Sequence, residues 1–367
     1  MITDKIGIEA IDHHLDKDDI DEQGKMKLTI IANVLANAVN DISKKMDISV
    51  DETKESINKK LENVQYFVNE SEDVIVPALV DQSTNTMKFG NRFFYDPTAN
   101  KNEITVHELT HLMGFETLKP NPFKTRYVCG YKTIDKALWM HKVENAGFNE
   151  ATTQMFASYN NEYYNDKFLR YDIYTNQSEH QSIYKININL IHQMVIAKGL
   201  TDKELFKGLF NYNDAKEFIG KYDKTTFSEL SQLIDTIYNN AFELSQTRNS
   251  LYNKADRDIG KLIDDEMHAT VRIKIATQDA ERKIMNKILL PELQNKTEEE
   301  KQMILAEYGK YVVSEKEYFN QITQKTTGKS QFIEQLKTDI VVKNNNHDNN
   351  HDNQNDVSND KSEMEKD

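Results

Sequence analysis

The sequence predicts an α+β protein, mostly α-helical, with a small mixed β-sheet in its first third and a large helical portion after it. Three observations lead there. Gly and Pro are scarce, 12 and 5 in 367 residues, while 29% of the chain is charged, a balance that suits long helices better than a sandwich or barrel. Apolar residues recur at helical period over 25–46 and, with short breaks, from about 186 to 339. Between these lie short β-rich runs at 73–80 and 86–95. At 38% hydrophobic residues a sizeable core is available, as one large domain or two to three smaller ones.

Residues 1–23 are acidic, and the adjacent His13 and His14 do not share a helix face, so both read as solvated. Met26, Leu28, Ile30, Ile31, Val34, Leu35, Ala38, Val39 and Ile42 recur near helical period and give the first long helix its apolar positions, and a second helix starts near Asp51. Together they make an N-terminal helical segment, 1–70. Pro77 limits the run at 73–80 to an edge or a broken strand. The turn formers of 81–85 connect it to a second strand, 86–95. Residues 116–138, with Pro120, Pro122 and Gly130, read as an irregular loop, and Trp139 as a core residue. A helical C-terminal domain is expected over 199–342, where the stripe within 225–247 faces a core and His268 is structural. The Asn/Asp-rich tail, 343–367, has too few apolar side chains to order itself; its His347 and His351 would bind a metal only weakly.

The net charge is −14, but the two acidic ends carry most of it. No basic patch suggests nucleic acid, and no apolar run is long enough to span a membrane. The single cysteine, Cys129, forbids an intrachain disulfide and reads as a free, semi-buried thiol. The N-terminal residues lack the pattern of a signal peptide. If they are the native start, the protein is cytoplasmic or exported by a signal-independent route.

The chemistry concentrates in His107-Glu-Leu-Thr-His111, an HExxH motif. On a helix, histidines four apart lie about 40° apart around the axis and about 6 Å along it, so both rings reach one cation. Glu108, about 100° from His107, suits a general base that takes a proton from a zinc-activated water. Ile104, Val106, Leu109, Leu112, Met113 and Phe115 wrap most of this helix, so it is buried, and buried histidines beside a buried carboxylate need partners.

A catalytic zinc takes three protein ligands. An HExxHxxGxxH extension meets Gly114 but fails at Thr117. Glu116 points away from the pair by helical rotation, which leaves His141, Glu144 and Glu150; of these, Glu150 stands in the first turn of a helix that Asn149 can cap. HELTH at 107–111 with the NExxT-type stretch from Asn149 to Thr153 resembles the gluzincins, the thermolysin-like branch of the zinc metallopeptidases, over roughly residues 70–165. The resemblance implies a zincin-like catalytic core, here 71–198, one Zn2+ held by His107, His111 and Glu150, and Glu108 as general base. It also implies a sheet before the motif helix whose edge strand binds an extended peptide, which points to residues 86–95 as the cleft wall.

An oxyanion donor is expected downstream, from His180, His192 or a tyrosine between 159 and 184. The expected function is hydrolysis of peptide or protein substrates. The rival is a catalytically inactive zincin-like protein with a structural metal, serving as a binding or regulatory module.

Overall fold

A computed structural model describes residues 6–17, 20–66, 77–82, 84–97, 99–121, 124–137, 140–159, 184–253 and 259–327. The expectations for 73–76, Trp139, His180, most of the tyrosine-rich segment and the 343–367 tail lie outside them.

A short α1 (Glu9–Leu15) leads to α2 (Glu22–Met46). The Asp21 carboxylate caps α2 by accepting from the Gly24 N–H at 2.6 Å, and Asp47 ends it with φ 58°. Of the predicted apolar positions Leu28, Ile31, Leu35, Ala38, Val39 and Ile42 are buried, Ile30 and Val34 are half-buried, and Met26 near the start of the helix is exposed. The next helix, α3 (Val50–Asn58), starts through a Ser49–Glu52 capping box.

Strands β1 (Asn63–Tyr66), β2 (Ala78–Asp81) and β3 (Thr86–Phe89) form the expected small mixed sheet in the order β1-β3-β2. In it β1 is parallel and β2 antiparallel to β3. The run 86–95 is not one strand. Gly90 ends β3, and Asn91–Tyr95 turns into α4, which seats Phe93 against Phe89 with ring centroids 4.7 Å apart. Because β3 is paired on both sides, the edges are β1 and β2, and Pro77 precedes the pairing of β2.

The motif helix, α5 (Lys101–Gly114), is capped by Asn100 and buried around most of its circumference between α2 and α6 (Ala146–Ser158). At its C-terminal end the Lys60 ammonium donates to the carbonyls of Met113 and of Phe115, the latter at 2.9 Å. That contact offsets the exposed carbonyl charge of the last turn.

Residues 115–144 form an antiparallel meander, β4 (Phe115–Asn121), β5 (Lys124–Cys129), β6 (Lys132–Ala137) and β7 (Met140–Glu144), where the sequence predicted a loop. Its strands are polar, so no hydrophobic alternation marks them. Cross-strand contacts hold it instead: Arg126 faces Asp135 and donates to both carboxylate oxygens at 2.6 and 2.7 Å. Gly130, at φ +56°, takes the first central position of the two-residue turn joining β5 to β6.

The remaining elements are α7 (Lys185–Lys198), α8 (Asp202–Phe210), α9 (Tyr212–Gly220), the long antiparallel pair α10 (Lys224–Asn253) and α11 (Ile259–Ile284), α12 (Leu290–Leu293), α13 (Glu298–Gly309) and α14 (Lys316–Thr327). Pro291 does not break the helical run that continues from α11 into α12. A π turn, Met285–Leu289, widens the helix just before the ring. Buried on nearly all sides, α7 is pinned through Gln193, which donates to Glu281 at 2.9 Å and accepts from the Tyr308 hydroxyl at 2.9 Å. Buried apolar side chains run in one continuous cluster from Ile8 to Ile322. Among the described residues no helix is long and apolar enough to cross a membrane.

Candidate metal centre

His107 and His111 project from successive turns of α5 toward Glu150 on α6. The Glu150 Oε2 lies 3.4 Å from His107 Nε2 and 3.1 Å from His111 Nε2, and the two nitrogens are 3.0 Å apart. One donor atom from each of the three falls within 4.8 Å of the others. Among the described residues no other group of three or more His, Cys, Asp or Glu side chains is gathered in this way. Protein-family models, curated proteins and solved structures give no match to this chain. The alternative ligands are elsewhere: His141 and Glu144 are exposed on β7, and Glu116 is exposed on β4.

The ring orientations suit a metal. His107 Nδ1 lies 3.1 Å from Gln154 Oε1, while the Gln154 amide nitrogen donates to Glu103 (2.5 Å) and Ser158 (3.0 Å). With the amide held that way round, its oxygen accepts the Nδ1 proton, and the Nε2 lone pair faces the centre. His111 is held differently. Its Nδ1 faces Cys129 Sγ at 3.7 Å and the Asn149 amide nitrogen at 3.4 Å, and the Asn149 oxygen is occupied by the Tyr131 N–H at 2.9 Å. An amide NH2 cannot accept, so of these two neighbours only the sulfur can take the Nδ1 proton when Nε2 binds a cation.

The charges are interdependent. Burial is the largest influence on His111 and opposes its charge, but the Glu150 carboxylate and Cys129 together outweigh it and hold the imidazole pKa well above its usual value. Glu150, which burial alone would raise, is held well below the carboxylate range by His111 and His107. A carboxylate and two imidazoles whose facing Oε2 and Nε2 atoms converge on one point fit a divalent cation of borderline softness, such as zinc. Glu108 is pushed up by burial, against the pull of His107 and His111, and its Oε2 accepts from the Val80 N–H at 2.9 Å. The strand beside the motif is therefore β2 and not the predicted 86–95 run.

Asn149 does not cap α6. That helix starts three residues earlier, at Ala146, with Asn145 at φ 59° as its N-cap and without a cap from its own side chain. The cap comes from α10: Asp235 accepts from the Gly147 N–H at 2.6 Å and also from the backbone of Asn145, Ala146 and Phe148. Ser231, one turn before Asp235, donates to the Asn145 side chain at 2.5 Å.

Two tyrosines close the site. The Tyr184 ring lies 5.8 Å from that of His107 and stacks on Tyr238 at 6.0 Å. Burial, reinforced by Glu150 and Glu108, raises the pKa of both hydroxyls, which therefore stay protonated donors. Tyr184 ends the window the sequence indicated; Tyr238, on α10, was missed, because it reads as one more aromatic in a core helix. His192 is excluded as the oxyanion donor, since it stacks on Tyr311 at 4.3 Å beside Asp202. Tyr159 packs on Phe206. Also missed was Lys132, at the start of β6, whose ammonium lies 3.8 Å from Glu150 Oε1.

Proposed function

We propose that the protein is a zinc-dependent peptidase of the gluzincin type, with a zincin-like core built on α5 and α6. The observation that carries this reading is the convergence of His107, His111 and Glu150 with Glu108 alongside. A purely structural site has no need of that second carboxyl group. His107, His111 and Glu150 would hold the ion. When bound, zinc supplies Lewis acidity toward a peptide carbonyl and makes a water a stronger acid.

Glu108 takes the proton of the attacking water and delivers it to the leaving amine, and the Val80 N–H fixes the carboxylate for both transfers. Tyr184 and Tyr238 offer hydroxyl donors to the oxygen on which negative charge develops. The edge strand β2 runs past Glu108, so a peptide paired with that edge by backbone hydrogen bonds brings its scissile bond to the base. Lys132 adds positive charge at the same rim.

Elemental analysis of dialysed protein tests the ligand set. About one zinc per chain is expected in the wild type, with a large loss in Glu150→Ala. Glu108→Gln should keep the zinc and lose cleavage of a peptide library. A wild type that takes up no zinc after reconstitution would overturn the assignment, and a zinc-loaded wild type that cleaves nothing would leave the metal structural.

A further inference from the structure

Of the nine large hydrophobic side chains exposed among the described residues, four lie on α11: Ile263 (55% exposed), Met267 (54%), Val271 (50%) and Ile275 (53%). They recur every fourth residue. Such a row turns by only about 40° per step and forms one continuous ridge. The core-facing side of the same helix is accounted for by Ala269, Ile273, Ala276 and Ala280, all buried. A contiguous apolar ridge at half exposure is the kind of surface that marks an interaction site.

The charges around the ridge select its partner. The first half of the segment carries Asp264, Asp265 and Glu266, and the second half carries Arg272 and Lys274. The midpoint of the four apolar residues falls between Met267 and Val271. A two-fold axis through that midpoint lays a second α11 antiparallel on the first and superposes the ridge on itself. It also brings Asp264 toward Arg272 of the second copy and Glu266 toward Lys274. A parallel arrangement would set acid against acid. Ridges of spacing four pack into one another at a crossing angle of about −50°, and a self-complementary patch is what a two-fold interface requires.

We infer that the exposed face of α11 is a two-fold self-association surface through which two copies of this chain dimerise. This does not rest on the peptidase reading, and no part of the metal centre takes part in it.

Sedimentation equilibrium of the full chain, from micromolar to several hundred micromolar, tests it. The wild type should show a monomer–dimer equilibrium that weakens with salt. Met267→Lys/Val271→Lys should be monomeric throughout with an unchanged thermal midpoint for the monomer, because both side chains are half exposed. Lys274→Glu turns two attractive contacts per dimer into repulsive ones and should raise the dissociation constant by roughly tenfold. Glu266→Lys/Lys274→Glu should restore it. A wild type that stays monomeric at every concentration overturns the proposal and leaves the ridge to a different partner. A dimer indifferent to these substitutions overturns it as well.

Discussion

Asp235→Ala should weaken the metal centre from a distance, because the cap of the Glu150 helix is supplied by another helix. The Asp235 carboxylate accepts from Gly147 N–H at 2.6 Å and from three neighbouring backbone groups, and α6 has no cap of its own. Removing an ordinary N-cap side chain costs about 0.5–2 kcal/mol. Here a partly buried charged acceptor serves several N–H groups, some of which water would reach once the carboxylate is gone. An estimate of about 3 kcal/mol follows, equivalent to a fall of roughly 5–10 °C in the thermal midpoint. Glu150 is only one turn into α6, so fraying of that turn displaces a ligand. Zinc affinity should then fall by about 10- to 100-fold, the usual cost of losing an outer-shell support. Thermal melting of the metal-free protein and chelator competition at a temperature where the variant is fully folded measure the two effects separately. A lowered midpoint with unchanged zinc affinity would refute the coupling and leave Asp235 a purely structural cap.

Other outcomes follow from the same contacts. Cys129→Ala removes the acceptor for the His111 Nδ1 proton and should weaken zinc binding by about tenfold with the fold intact, while Cys129→Ser restores most of it; equal affinity in all three proteins, by chelator competition, would show that the sulfur does not orient the ring. If the wild type is active, Tyr184→Phe and Tyr238→Phe should lower kcat with little change in zinc content, and the variant with the larger fall, on the order of 100-fold, identifies the oxyanion donor. Acid stability tests the helical half. Burial holds His192 at a pKa of about 3, so its contribution is complete above an unfolded value near 6.5 and is lost as pH falls toward 3. Asp202, raised to about 6 by burial and Glu307, has the opposite sign and gains as pH falls from 6 toward 3.8. The two slopes oppose one another in that window, so Asp202→Asn should steepen the acid loss of stability by up to about 3 kcal/mol; parallel pH curves for variant and wild type would contradict this.

What the sequence made legible was whatever a local period fixes. The HExxH spacing determines the geometry of His107 and His111 because an α-helix has only one pitch, and the apolar wrapping around them correctly indicated a buried helix. The long core-facing stripe of α10 was legible for the same reason, and so were the two antiparallel strands of the small sheet, whereas the parallel strand β1 lay in a segment read as helical. Glu150 lay beyond the whole meander, on the next helix, and was reached through its resemblance to a known pattern and not through any spacing. The meander was hidden because its strands carry Lys, Thr, Arg and Asp on faces that bury little, so neither period appears. Asn149 was misassigned because a local cap was the simplest account of Asn before Glu; its amide instead spans the Tyr131 backbone and His111, and Asp235 supplies the cap. Tyr238, Lys132 and Cys129 share that character: each reaches the centre only after distant segments pack, and nothing within a few residues of any of them reports it. The motif therefore identifies the two histidines and the carboxyl group beside them. The meander and α10 supply the groups that hold and complete them, so the helical C-terminal half is part of the candidate metal centre through Asp235, Ser231 and Tyr238.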